Sequence, residues 1–278
     1  MSDLKHTKKK RKQLEVLLQK LTQEDVCVAF SGGVDSSLLL VMTWEAAQKN
    51  NTQVYALTMD TVLHPKADLE IARTVLARTG AMHKILTLNE LAVPEIKNNP
   101  ADRCYRCKKE LYRRMLQFAE EKGISRLLEG SNEDDLHVYR PGLRAIGELG
   151  VRSPLAEMGL TKEEVRFLAK DYGIPVADRP SSPCLATRLP YGTEIDLELL
   201  RRIDEAEEFL RKLSFYNVRV RVHRDIARLE IDTEEFPQLL KERERIIRKL
   251  KELGFPYVTL DLEGFRSGSM DIHIEKQD

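Results

Sequence analysis

Short apolar runs alternate with segments whose apolar residues recur at helical spacing through the first part of the chain. Val26 to Phe30 is such a run, the pattern of a buried strand, and it passes through Ser31-Gly32-Gly33 into an apolar helix over Leu38 to Ala47. Gln53 to Met59 and Met82 to Leu88 predict a second and a third strand, separated by a helix over Asp68 to Thr79 that Gly80 closes; Arg126 to Gly130 predicts a fourth. Thr161-Lys162-Glu163-Glu164 has the form of a cap and helix start, giving a helix from Lys162 to Tyr172 that ends at Gly173. This alternation predicts an α/β fold, a Rossmann-like parallel sheet with helices on its faces, whose ligands bind at the carboxyl ends of strands.

Prolines and serines from Arg179 to Gly192 predict a loop, and beyond it the pattern changes. A long charged helix over Asp196 to Leu213 carries Leu197, Leu200, Ile203, Phe209 and Leu210 on its apolar side. Asn217 to Val222 alternates in strand fashion and sets Arg219 and Arg221 on one face. A strand over Ala227 to Ile231, a helix over Phe236 to Leu253 and a last strand over Tyr257 to Leu262 complete a smaller α+β domain. The expected division is 1–187 and 188–278. Met1 to Lys12 is expected to be a frayed polar lead into a helix around Gln13 to Leu21.

The chemistry concentrates at a few places. Adjacent glycines at Gly32 and Gly33 let the backbone bend and present its N–H groups, which with the orphan donors of the following helix form a nest for a polyphosphate. Ser31, Ser36 and Ser37 add hydroxyls. Asp35 would repel phosphate unless a divalent metal lies between them. The string is neither a Walker A loop nor GxGxxG. Ser131 to Asp135 and the turn at Tyr139-Arg140-Pro141-Gly142, with Arg144 beyond it, are polar groups after a strand end, suited to nucleotide and substrate contacts. His64 and Pro65 are read as loop residues.

Charge and cysteine content narrow the function classes. Lys+Arg and Asp+Glu balance at 45 each over 278 residues, which gives no support for a general nucleic-acid surface, and Lys241 to Lys251 reads as a solvated helix face. No apolar run approaches a membrane span, and Met1 to Lys12 has no apolar stretch of a secretory signal after it, so a cytoplasmic protein is expected. In that compartment four cysteines point to metal or catalysis rather than a disulfide framework. Cys27, within the first strand, reads as a buried small hydrophobe. Cys104 and Cys107 form a CxxC in turn-forming sequence ahead of a helix over Glu110 to Lys122, and two thiols at this spacing chelate one metal or join in a disulfide. A structural zinc site wants a second such pair, which the chain lacks. Lys108, one turn on, is either a phosphate contact or a solvated lysine. Cys184, in a loop flanked by Arg179 and Arg188, is a candidate thiolate.

Ser-Gly-Gly-Val-Asp-Ser-Ser after a strand resembles the loop of the PP-loop ATP pyrophosphatases, which cleave ATP between the α- and β-phosphates and adenylylate a substrate oxygen. The run from Ser153 to Pro175 is similar to the matching segment of GMP synthetase-like members. Along most of its length the chain resembles the LarE-type sulfur transferases: Ser31 to Ser36 (SGGVDS), Tyr139 to Gly142 (YRPG), Pro190 to Gly192 (PYG), Val218 to Arg221 (VRVR), Asp225 to Arg228 (DIAR), Tyr257 to Asp261 (YVTLD) and Gly264 to Gly268 (GFRSG). That resemblance implies adenylylation of a carboxylate of pyridinium-3,5-biscarboxylic acid mononucleotide, with sulfur then displacing AMP. The product is a thiocarboxylate on the way to the nickel-pincer nucleotide cofactor of lactate racemase.

The family has two branches, in one of which a loop cysteine gives up its own sulfur and is left as dehydroalanine. In the other, three cysteines hold a 4Fe-4S cluster that leaves one iron without a protein ligand. Cys184 matches the loop cysteine of both branches, whereas Cys104 and Cys107 match only the cluster branch, which is the expectation here. The resemblance further implies that Asp35 helps hold Mg²⁺ and pyrophosphate, that Arg219 and Arg221 clamp the substrate's phosphate or carboxylate, and that the chain assembles as a homo-hexamer fed by a sulfide source. Glu207 and Glu230 match acidic residues of a metal or substrate site, or are surface carboxylates. The competing readings are another PP-loop enzyme, either a tRNA thiolase or an amide ligase, and a non-catalytic zinc-stapled nucleotide-binding module.

Overall fold

Four parallel strands in the order β3-β2-β1-β4 form the larger sheet of the computed structural model. The structure describes residues 2–64, 67–138, 140–178, 183–266 and 268–271, without the side chains of 2–4 and 67–71. Pro65, Tyr139, Arg179 and Ser267, each part of a motif read from the sequence, lie outside the described residues. In chain order the elements are α1 (Ser2–Leu21), β1 (Val26–Ala29), α2 (Val34–Asn50), β2 (Val54–Thr61), α3 (Ala67–Leu76), β3 (Met82–Leu88), α4 (Pro94–Lys97), α5 (Arg103–Glu121) and β4 (Leu127–Leu128). They continue with α6 (Pro141–Glu148), α7 (Pro154–Glu157), α8 (Lys162–Asp171), α9 (Leu197–Lys212), β5 (Val218–His223), β6 (Ile226–Ile231), α10 (Phe236–Lys241), α11 (Arg243–Glu252) and β7 (Tyr257–Leu260).

The elements fall into two compact units, one of residues 1–61, 66–89 and 104–182, the other of residues 62–65, 90–103 and 183–278. In the first, β1 is paired on both sides and all four of its residues are buried. Its side chains alternate between two cores. Val26 and Val28 join Leu14 and Leu18 of α1, Leu38 to Leu40 of α2 and Val165 and Leu168 of α8. Cys27 and Ala29 join Tyr112, Met115 and Ala119 of α5 and Ile146 of α6. Helices therefore cover both faces, the α/β architecture that the alternation of strands and helices predicts. Burial, helped by the charge of Asp25, pushes the Cys27 thiol up to about 12, which keeps it protonated. In the second unit β5 and β6 are antiparallel while β7 joins β6 in parallel, giving a small mixed sheet.

Several local details differ from the pattern-based reading. The CxxC lies inside α5 rather than ahead of it, because the helix already starts at Arg103, whose N–H donates to Pro100 O at 2.9 Å. Pro141 sits in the first turn of α6, so the expected turn there is helical from that residue on. The expected helix over Phe236 to Leu253 is two helices meeting at Glu242. Leu197, the first residue of α9, is exposed, unlike Leu200, Ile203 and Leu210. The basic lead is not frayed but helical from Ser2, with Thr7 buried. Among the described residues no helix is long and apolar enough to cross a membrane.

Candidate active site

The glycine loop leaves the sheet where strand order reverses around β1, the place at which open α/β sheets bind ligands. Phe30 N–H still donates to Leu57 O at 2.8 Å, and the chain then turns at Gly32, whose φ of +76° lies in the left-handed region open to glycine. Gly33 is extended (φ −74°, ψ 163°) and α2 begins at Val34. The Ser31 and Ser36 hydroxyls stand 3.1 Å apart, Ser36 Oγ donates to Gly33 O at 3.1 Å, and Gly33 N–H donates to Ser31 Oγ at 3.4 Å. These two serines thus set the curvature of the loop. Ser37 is fully buried, and its hydroxyl makes no hydrogen bond among the described residues.

Asp35, in the first turn of α2, is the centre of this loop's electrostatics. Its Oδ1 accepts from Asn132 Nδ2 at 3.0 Å, and its Oδ2 is ion-paired with the Lys162 ammonium. Asn132 follows β4 and is held by a reciprocal cap with Asp135; Lys162 is the first residue of α8. Sequence reasoning placed Lys162 at a helix start but missed its ion pair with Asp35, since pairing across so long a separation leaves no local signal. Arg140 pairs with Asp135 at 3.0 Å. Arg144 lies 3.7 Å from the Tyr105 ring centroid and 3.4 Å from Glu148. Lys108 runs its stem across Gly142, where an added Cβ would meet its Cδ at 2.6 Å, and its ammonium stands 5.9 Å from the Tyr112 ring.

Gly130 is a further residue that sequence reasoning passed over. A Cβ there would lie 2.9 Å from Ser36 N and 3.1 Å from Asp35 C, so the exit of β4 rests directly on the backbone of α2's first turn. Buried Glu129 shapes that exit by accepting from Ser131 N–H at 3.0 Å, Ser131 Oγ at 2.9 Å and the Ser153 hydroxyl. Gly130→Ala is expected to destabilise the protein by about 1–3 kcal/mol and to raise the ATP concentration for half-saturation. A thermal melt and an ATP titration check both, and an unchanged titration would contradict this packing role.

In the second unit, Cys184 precedes a single tight helical turn over Leu185–Arg188. Arg188 is fully buried and grips Glu207 with two bonds of 2.8 Å. Its Nη1 also donates to Pro183 O at 3.0 Å, Cys184 O at 3.3 Å and Thr187 Oγ1 at 2.9 Å. Arg221 donates to Thr187 O at 2.7 Å and buried Arg103 to Ala186 O at 3.3 Å, while Asn99 Nδ2 reaches Leu189 O at 3.2 Å and Pro190 O at 2.8 Å. The carbonyls around Cys184 are thus received by guanidinium and amide donors from distant segments. Arg188, read from the sequence as flanking Cys184, donates to the Cys184 carbonyl while its charge is paired with Glu207; Arg103 and Asn99 carried no signal for this loop.

Glu207 further accepts from Arg211 at 2.9 Å and Val220 N–H at 3.0 Å. Burial pushes its carboxyl up, but the Arg188 charge and hydrogen bonds outweigh this and hold it below the ordinary value. Glu230 accepts from Arg221 at 3.1 Å, Arg228 at 2.9 Å and Ser269 at 2.7 Å. Both carboxylates are fully buried rather than on the surface. A metal at either would have to displace guanidinium groups. Arg219 stands opposite Glu230 in the β5–β6 register and 5.1 Å from the Phe265 ring, and burial, with the Arg188 charge adding to it, lowers its pKa to about 10. Buried Arg188, Arg219 and Arg221 outnumber buried Glu207 and Glu230 in this cluster, an imbalance that favours an anion.

None of the four cysteines is in a disulfide, and Cys104 and Cys107, half-buried and buried, lie about one turn apart at the start of α5. Among the described residues no three His, Cys, Asp or Glu side chains converge as around a metal ion.

Comparison with known proteins decides the family. Residues 6–138 match the PP-loop domain. Over 251 residues, 90% of this chain and 90% of the relative, the sequence is 39% identical to the pyridinium-3,5-bisthiocarboxylic acid mononucleotide synthase of Lactiplantibacillus plantarum. The chain belongs to the LarE family of PP-loop enzymes. An uncharacterised protein of Synechocystis is 38% identical over 93% of this chain and 98% of its own length. The tRNA-specific 2-thiouridylase MnmA of Rickettsia massiliae is 29% identical over only 58% of this chain and 53% of its own. LarE membership makes the chain an ATP-using enzyme, and likeness along both units separates it from the thiouridylase.

Proposed function

We propose that the protein is a cytoplasmic sulfur transferase that converts a carboxylate of pyridinium-3,5-biscarboxylic acid mononucleotide to a thiocarboxylate, for a nickel-pincer nucleotide cofactor. The observation that carries this reading is the pairing of a PP-loop ATP site with a second, arginine-rich unit, in a chain alike throughout to a synthase of the corresponding bisthiocarboxylate. The N–H groups at Gly32 and Gly33 and the start of α2 receive the polyphosphate. Asp35 suits Mg²⁺, a hard cation that takes a carboxylate together with phosphate oxygens; when bound there it offsets charge on the pyrophosphate. Lys162, already at Asp35, supplies a positive charge to the same group. Lys108, Arg140 and Arg144 lie on the first unit as further nucleotide contacts.

Arg219 and Arg221 hold the anionic substrate, with Glu207 and Glu230 fixing the guanidinium groups around them. A substrate carboxylate oxygen attacks the α-phosphorus of ATP and pyrophosphate leaves. Sulfur then bonds to the acyl carbon, and AMP departs with the original oxygen. A carboxylate oxygen by itself is a poor leaving group, which is what adenylylation solves.

Likeness to the cluster branch supports a 4Fe-4S cluster as the sulfur carrier, and three free cysteines outside the sheet are the donor type such a cluster takes, whereas burial keeps Cys27 a thiol. Cys104, Cys107 and Cys184 would hold it, and when bound it supplies a sulfur renewable from an external sulfide source. A homo-hexamer is proposed from the family likeness. Iron, acid-labile sulfide and zinc are to be measured in anaerobically purified protein. About four irons and at least as many sulfides per chain, lost in Cys104→Ala, are expected. No iron, with one sulfur lost from Cys184 after a single turnover, would replace this by the sacrificial route; stoichiometric zinc without ATP cleavage would overturn the enzyme reading.

A further inference from the structure

The amino-terminal helix sends its polar side chains to one place. Thr7 Oγ1 donates to Glu164 Oε1 at 3.1 Å, and Lys10 Nζ donates to Glu164 Oε2 at 2.7 Å and to Gly159 O at 2.5 Å. Glu164 is already the acidic half of a capping box: its Oε2 accepts from Thr161 N–H at 3.0 Å, and its own N–H donates to Thr161 Oγ1 at 3.3 Å. Burial pushes the Glu164 carboxyl up, but the bonds from Lys10, Thr161 and Thr7 hold it below the ordinary value, so it is anionic at neutral pH. The residue enclosed by this clamp is Lys162, whose own N–H donates to Asp134 Oδ2 at 2.7 Å and whose ammonium meets Asp35.

A capping box alone suffices to start a helix, and α1 is already anchored by Leu14 and Leu18 in the core. The added ion pair and the hydroxyl bond go to the turn Gly159–Glu164, which presents Lys162 to the glycine loop. We propose that Thr7 and Lys10 are positioning residues for ATP use, acting through Glu164 to hold Lys162 at the polyphosphate. This rests on the reading of Lys162 as a polyphosphate contact beside Asp35, the carboxylate that suits Mg²⁺. Positioning matters on this scale because a displacement of about 1 Å can cost about a hundredfold in rate.

The test uses the full chain with Lys10→Met, Lys10→Arg, Thr7→Val, Lys162→Met and the Lys10→Met/Lys162→Met double variant. Binding of the Mg²⁺ complex of α,β-methylene ATP is titrated in each, and a thermal melt confirms that each is folded. Lys10→Met is expected to weaken binding by about tenfold and Thr7→Val by less, with Lys10→Arg within about twofold of the parent. In the Lys162→Met background Lys10→Met should add nothing, because the two act in series. Unchanged binding in folded Lys10→Met, or full additivity in the double variant, overturns the inference while leaving Lys162 as a ligand. Unchanged binding in Lys162→Met overturns the underlying reading instead.

Discussion

Changing Asp35 to Asn is expected to slow pyrophosphate release from ATP by about a hundredfold to a thousandfold while leaving the fold intact. The side chain stands partly exposed at the start of α2 and touches Asn132 and Lys162. An amide of the same shape keeps contact with Asn132 and occupies the same space. It loses the charge that pairs with Lys162 and that suits a divalent cation between protein and phosphate. The cost to stability is confined to a helix-terminus charge and one partly exposed ion pair, together about 1 kcal/mol. Pyrophosphate release measured with Mg²⁺ and ATP separates these effects. A variant that melts with the parent but releases pyrophosphate at the parental rate would remove Asp35 from the site.

Glu207→Ala is expected to produce the largest loss of stability, about 3–5 kcal/mol. Glu207 and Arg188 are both fully buried and joined by two parallel bonds, so removing the carboxylate strands a guanidinium in the interior. The Val220 N–H and one Arg211 contact lose their acceptor as well. Because the folded carboxyl titrates below its ordinary value of 4.5, its stabilisation is complete above that value and is lost as the pH falls through the folded pKa. The parent should therefore lose stability in that acid window, and Glu207→Ala should lack this component. Chemical unfolding at neutral and acid pH reads both. A loss below about 1 kcal/mol at neutral pH would mean the pair is not the fastening of the Cys184 turn.

The corner from β1 through the glycine loop to α2 was legible because its signals are local: an apolar run, two glycines and an apolar helix. The Lys162 cap was legible for the same reason, as Thr161 and Glu164 make the reciprocal bonds that their spacing predicts. What escaped is long-range. Lys162 meets Asp35 across 127 residues and Arg103 reaches Ala186 across 83, and no window of sequence carries either pairing. The amino-terminal lead misled for a related reason: its charges look solvated until Glu164 is placed beside Lys10. Glu207 and Glu230, equally readable as surface carboxylates, are buried because arginines on neighbouring elements compensate them.

The most direct test of the central claim is mass spectrometry of the product formed from pyridinium-3,5-biscarboxylic acid mononucleotide, Mg²⁺, ATP and sulfide under anaerobic conditions. The account predicts a thiocarboxylate with one oxygen exchanged for sulfur, AMP released in equal amount, and many turnovers per chain with Cys184 intact. AMP and pyrophosphate formed without any sulfur-containing product, or no dependence of ATP cleavage on the pyridinium substrate, would contradict it.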